Sequence, residues 1–190
     1  MNTPKILDLR ILYRGFVKLL SATVEDRNGT RYEREIEERG RAVAVLPYDP
    51  VRRTAILIRL LRVPVLHAAG LPDLLEAPAG MVEGEEPAET ARREALEEVG
   101  LRLGPLEPVA TAFSSPGLSC EQVSLYLAPY SAADKVADGG GVASEHEDIT
   151  VVELPLAELA SLIDRQEIAD LKTLALALAL RLRHSHLFTA

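Results

Sequence analysis

Three glutamates, Glu94, Glu97 and Glu98, are spaced so that a helix would aim them together. A helix turns 100° per residue, which puts them within one arc of about 100°. Ala88, Ala91, Ala95 and Val99 fall on an adjoining stripe of small apolar side chains that can press against a sheet. Like charges at this spacing destabilise a helix, so three converging carboxylates call for a cation. Hard oxygen donors suit Mg²⁺ or Mn²⁺, which keep waters and hold a substrate phosphate at the same time. The plain alternative is a solvated acidic face. The segment from Glu76 to Glu98 (EAPAGMVEGEEPAETARREALEE) carries eight Glu against two Arg, so most of the chain's net charge of −8 sits there.

The residues flanking the carboxylates decide between these readings. The segment resembles the Nudix box, a Gly, a spaced Glu, then Arg-Glu, Glu-Glu and Gly on a loop, helix and loop. Gly80, Glu86, Arg93-Glu94, Glu97-Glu98 and Gly100-Leu101 match it, with Pro78-Ala79 ahead of the Gly. The link from Glu86 to Arg93 is one residue shorter than in the usual box, while REALEEVGL is unbroken. The short box is similar to the GDP-mannose pyrophosphatase branch, which is close to the ADP-ribose pyrophosphatases. Further matches are Arg39-Gly40, IRLLRV at Ile58 to Val63, Ser115-Pro116-Gly117, GGGV at Gly139 to Val142, EDITVVELP at Glu147 to Pro155, and DLKT at Asp170 to Thr173.

The resemblance implies hydrolysis of a nucleoside diphosphate sugar at its pyrophosphate. GDP-mannose would give GMP and mannose 1-phosphate; ADP-ribose would give AMP and ribose 5-phosphate; a silent nucleotide-sugar sensor is the reading from another class. It implies Mg²⁺, with Mn²⁺ as a substitute, held by Glu94, Glu98 and the carbonyl of Ala79. Glu97 is a third ligand or holds a metal-bound water. Glu147 would be an extra ligand or base, with Glu145 able to replace it. Arg93 would orient Glu86 or a ligand carboxylate, and Gly80 and Gly100 would shape the loop and the helix end. Phe16, Arg34, Glu35, Arg62, Glu121, His146 and Lys172 are the expected substrate contacts. Arg62 suits a phosphate because a guanidinium grips one bidentately. Cys120 has no paired base to make it a nucleophile.

The remaining elements must position this set. Asn28-Gly29 marks a hairpin between Phe16–Val24 and Thr30–Glu38, since both turn residues tolerate positive φ. Apolar strands are expected at Ala42–Tyr48 and Thr54–Leu61, and further strands near 106–113, 122–130 and 149–154. Helices are expected over Pro87–Val99, 155–163 and 170–183. With these elements, the resemblance implies an α+β fold, a Nudix α/β/α sandwich with a mixed sheet and N-terminal antiparallel strands. By the same resemblance residues 1–40 would be strands for dimerisation and substrate contact, and 41–190 the hydrolase domain. An acidic chain lacks the clustered Lys and Arg that nucleic acid demands. A single cysteine, no apolar leader and no run long enough to span a bilayer point to a cytoplasmic protein, and the resemblance implies a homodimer acting on a small nucleotide sugar.

Overall fold

The computed structural model describes residues 2–142 and 148–189. The chain divides into two compact units, one of residues 1–41 and 112–122, the other of 42–111 and 123–190.

The first unit is a three-stranded antiparallel sheet of β1 (Lys5–Arg14), β2 (Lys18–Glu25) and β3 (Arg31–Glu38), in that order. The β2–β3 hairpin turns where Asn28-Gly29 predicts it. Gly29 takes φ 82°, and Asp26 Oδ1 accepts the N–H groups of Asn28 and Thr30 at 2.8 and 2.9 Å. The segment 112–122 joins this unit through the Glu37 N–H on the Leu118 carbonyl (2.9 Å) and the Cys120 N–H on the Glu37 carbonyl (3.1 Å). Every residue of β1 is exposed, although six of its ten side chains are large and apolar.

The second unit is built on a seven-stranded sheet. The main path is β10 (Thr150–Pro155), β5 (Thr54–Leu60), β4 (Arg41–Asp49), β9 (Gln122–Pro129) and β8 (Glu107–Phe113). Short strands β6 (Leu74–Glu76) and β7 (Ala79–Met81) pair antiparallel with β5 and β4. The Tyr130 N–H reaches the Tyr48 carbonyl at 2.9 Å, so β4 and β9 end together and run parallel, whereas β10 and β5 are antiparallel; the sheet is mixed.

Successive strand residues face opposite ways, and β4 and β5 use both faces. Ala44, Leu46, Tyr48, Ala55 and Leu57 point into one core with α3 (Leu156–Asp164) and α4 (Leu171–Arg183). Val43, Val45, Ile56, Ile58 and Leu60 point into the other, with α2 (Pro87–Val99). Helices on both faces make the expected α/β/α sandwich. Among the described residues no helix is long and apolar enough to cross a membrane.

Beyond the short strands β6 and β7, which the sequence reading does not include, the structure departs from it after β5. The strand expected through Leu61 stops at Leu60, and a helix, α1 (Val63–Ala69), follows with Arg62 at its start. Pro64 within its first turn is compatible with a helix start, and none of its residues is buried.

Candidate active site

The site is assembled where α2 passes β7. Pro87 opens α2 at a position whose N–H would be unpaired in any case. Gly100 closes it at φ 66°, its N–H on the Leu96 carbonyl and the Leu101 N–H on the Ala95 carbonyl, each at 3.0 Å. A Cβ on Gly100 would lie 1.9 Å from the Ala137 carbonyl oxygen, so the close passage of the later chain also demands glycine.

Ala91, Ala95 and Val99 are fully buried in the core they share with Val43, Val45, Ile56 and Ile58, and this fixes how α2 is rotated. That rotation buries Glu98, which is 1% exposed and accepts the Ala79 N–H on Oε2 at 3.0 Å. Glu94 rests against the next residue, since a Cβ on Gly80 would lie 1.9 Å from its Oε1. Glu98 and Glu94 thus meet adjacent residues of β7, Ala79 and Gly80. The N–H groups of Gly140 and Gly141 donate to the carbonyls of Glu98 (2.9 Å) and Glu97 (3.1 Å). The backbone of the GGGV loop is therefore fastened to the end of α2.

Arg93 gathers the acids around it. Its guanidinium meets Glu94 and Glu97 at 2.8 Å each and Glu85 at 3.2 Å. Burial opposes its charge, but the Glu94, Glu85 and Glu97 carboxylates prevail and raise its pKa further above the ordinary arginine value. Of the two partners expected for Arg93, Glu86 or a ligand carboxylate, the structure shows it on the carboxylates of Glu94 and Glu97, with Glu85 and not Glu86 as its partner before the helix. Glu86 stands at the start of the helix in extended backbone, where its carbonyl accepts from Glu89 and Thr90, and its side chain makes no cap.

Among the described residues no group of three or more acidic, His or Cys side chains is drawn together to hold a metal. Arg93 takes Glu94 and Glu97 instead. The donors still suit a hard divalent cation. They are two carboxylates brought to Ala79–Gly80, where a side chain on Gly80 would displace Glu94.

A second cluster lies just before β7. Glu76, 1% exposed, accepts both Nε and Nη2 of Arg62, at 2.7 and 3.1 Å. Its Oε2 also meets Lys172, which in turn reaches Asp170 at 2.9 Å. Asp170 caps α4 through the Thr173 N–H, and Thr173 Oγ1 accepts the Ala77 N–H at 2.7 Å. Burial pushes the Glu76 carboxyl up, but Arg62 and Lys172 more than offset this and hold it below its ordinary value. Arg62 and Lys172, expected to touch substrate, are therefore brought together by an acid the sequence reading did not single out.

In the first unit, Phe16 is 92% exposed between β1 and β2, with the Arg39 guanidinium 5.6 Å from its ring centroid. Arg39 also pairs with Glu121 at 3.4 Å. Phe16 is thus no core aromatic. Arg34 and Glu35 are exposed on β3, and Arg34 lies over the Tyr32 ring at 4.5 Å. Cys120 Sγ lies 3.4 and 3.3 Å from the Glu37 and Arg39 carbonyls. Glu145, His146 and Glu147 lie outside the described residues.

A profile of the NUDIX domain matches residues 38–176. The chain belongs to the Nudix family. A GDP-mannose pyrophosphatase of Cronobacter sakazakii is 38% identical over 189 residues, covering 96% of this chain and 97% of that one. A GDP-mannose pyrophosphatase of Escherichia coli O1:K1 is 34% identical over 163 residues, 85% of this chain and 84% of its own. The solved structure of an ADP compounds hydrolase superposes with a TM-score of 0.78 over 98% of this chain and 96% of its own, at 23% identity, and shows that the fold is shared. The matched span of this Nudix chain includes the segment from Gly80 to Gly100. Glu76 escaped that reading because its partners stand 14 and 96 residues away. The available signal was an acid inside the apolar stretch Leu74-Leu75-Glu76-Ala77.

Proposed function

We propose that this Nudix hydrolase cleaves the pyrophosphate of a nucleoside diphosphate sugar, with GDP-mannose yielding GMP and mannose 1-phosphate. The observation that carries the reading is the placement of Glu94 and Glu98 on Ala79–Gly80, in a chain alignable over almost its whole length with a GDP-mannose pyrophosphatase. Glu94, Glu98 and the Ala79 carbonyl would hold Mg²⁺, with Mn²⁺ as a substitute. Bound there, the cation neutralises phosphate oxygens and lowers the pKa of a coordinated water.

The chain's own residues supply the rest. Burial of Glu98 and its bond from the Ala79 N–H fix its carboxylate before substrate arrives. Arg93 keeps Glu94 and Glu97 in register along α2. Arg62 and Lys172 offer positive charge to the pyrophosphate, and the exposed ring of Phe16 offers a face on which a base can stack. Arg34, Glu35, Glu121 and His146 are further proposed contacts, and Glu147 the proposed base or additional ligand. The exposed apolar strand β1 supports a homodimer as the working form, and a lone thiol suits the cytoplasm.

Phosphate release after phosphatase coupling tests the reading, on GDP-mannose, ADP-ribose, other nucleotide sugars and dinucleoside polyphosphates with Mg²⁺. GDP-mannose is expected to lead the panel, and a chain that turns over no sugar nucleotide would overturn the proposal. Replacing Glu98 by Gln is expected to lower kcat/KM on the order of 10²–10³-fold, as loss of a preorganised electrostatic contact does. Undiminished turnover in that variant would remove Glu98 from the metal site.

A further inference from the structure

We propose that Glu76 is a positioning residue. Its buried carboxylate holds Arg62 and Lys172 side by side as one clamp for the anionic phosphates of the substrate. The inference rests on the pyrophosphatase reading above, because it gives that clamp its ligand.

Three observations lead to it. First, the two cations come from remote parts of the chain. Arg62 opens α1, Lys172 lies in the first turn of α4, and Glu76 ends β6 between them. Two like charges brought close repel each other, and only an anion between them makes the approach favourable. Glu76 supplies that anion, with both carboxylate oxygens engaged.

Second, the burial is one-sided. Glu76's side chain is 2% exposed, whereas those of Arg62 and Lys172 are 39% and 22% exposed. The anion is sealed beneath and the cations keep accessible surface. Guanidinium and ammonium groups carry five and three donors, so gripping Glu76 leaves N–H groups for a second anion. A pair serving stability alone gains little from this arrangement, since apolar side chains of similar volume do as well or better.

Third, the cluster is wired to the metal-binding segment. Glu76 is followed by Ala77, whose N–H is bonded to Thr173 Oγ1, and then by Pro78 and Ala79, whose N–H is bonded to Glu98. The charge on Glu98 also adds to the field that stabilises the Arg62 cation. One short stretch, 76–79, therefore sets the clamp at one end and the carboxylate site at the other.

The test compares wild type with Glu76→Gln and Glu76→Asp, reading KM and kcat for GDP-mannose, inhibition by inorganic pyrophosphate, and the thermal midpoint. For Glu76→Gln, the loss of charge-assisted contacts is expected to raise KM and the pyrophosphate inhibition constant roughly tenfold, with kcat lowered less than about threefold. Glu76→Asp keeps the charge but withdraws it by one methylene. It is expected to restore the thermal midpoint while leaving KM raised, because charge alone does not set the spacing of the two cations. Glu76→Asp therefore carries the test if Glu76→Gln fails to fold. An unchanged KM in either folded variant, or full recovery of KM in Glu76→Asp, would overturn the positioning role. If wild type turns over no sugar nucleotide, the functional reading fails; turnover with an unaltered KM in the variants sinks only this inference.

Discussion

Helix α2 and strand β1 are of similar length, and their composition is the reverse of their burial. α2 is rich in Glu and Arg, yet Thr90, Ala91, Ala95, Glu98 and Val99 are buried along it. β1 carries Ile6, Leu7, Leu9, Ile11, Leu12 and Tyr13, each between 41% and 58% exposed. Apolar content does not decide what is covered. A helix needs only one narrow stripe to match its neighbour, and three small residues suffice in α2. β1 is an edge strand, paired on one side with β2, and its register slips between Ile6 and Asp8 and again between Ile11 and Tyr13. Such irregularities interrupt the alternation, so its large side chains show on both faces. α2 spends its polar residues on a site within its own unit. β1 presents an edge and two faces suited to a second molecule.

The α2 side of this contrast is tested, without touching a carboxylate, at Gly80. A methyl group there would lie 1.9 Å from Oε1 and 2.1 Å from Cδ of Glu94. The clash is with the end of a flexible side chain, so Glu94 can swing away and the fold survives. Gly80→Ala is expected to cost about 10–100-fold in activity at fixed Mg²⁺, the scale of losing a group that orients a metal ligand. The thermal midpoint should hold within a few degrees. A fall in midpoint matching the fall in activity would show that Gly80 serves the fold instead of Glu94.

The β1 side is tested by charge. Leu9→Lys with Ile11→Lys leaves the β1–β2 pairing intact, and exposed substitutions of this kind usually change stability by only about 0.5 kcal/mol each. If a second copy covers these side chains, the dimer dissociation constant should rise at least roughly tenfold, because interface anchors carry most of an association energy. Sedimentation velocity at several concentrations reads the change. A wild-type chain that is monomeric throughout would leave β1 without the partner proposed for it.

The same contrast explains what could be read in the sequence. α2 was legible to the residue because its stripe, its Pro87 start and its Gly100 stop are all local signals. The strands β4 and β5 were legible as apolar runs between turn residues. α1 was missed because it buries nothing, so Leu60 to Ala69 shows no periodicity that separates strand from helix. Glu85 was passed over for Glu86 because the choice depends on the path of the loop before Pro87, not on the helix. Glu76 was missed for the opposite reason: its chemistry is set by tertiary pairing across the sheet, which no local pattern encodes.

The smallest expected effect concerns how β1 is held. Glu25 on β2 meets Lys5 on β1 at 3.0 Å and Arg31 on β3 at 2.9 Å, so one carboxylate ties the three strands. The hydrogen bond from Lys5, then that from Arg31, holds its pKa below the ordinary carboxylate value. A carboxyl with a depressed folded pKa stabilises the fold above its unfolded pKa of about 4.3. That contribution drains away as pH falls through the lower folded value. Acid should therefore loosen β1 while the core around α2 stays closed, because the burial of Ala91, Ala95 and Val99 holds α2 in place even as its carboxylates are protonated. Hydrogen exchange, corrected for the intrinsic rate at each pH, is expected to show β1 amides losing protection below about pH 4 ahead of those of α2. Glu25→Gln should bring the same loss at neutral pH and add nothing in acid. Equal loss of protection in both elements would mean that β1 is held by the fold as a whole and not by its charged fastening.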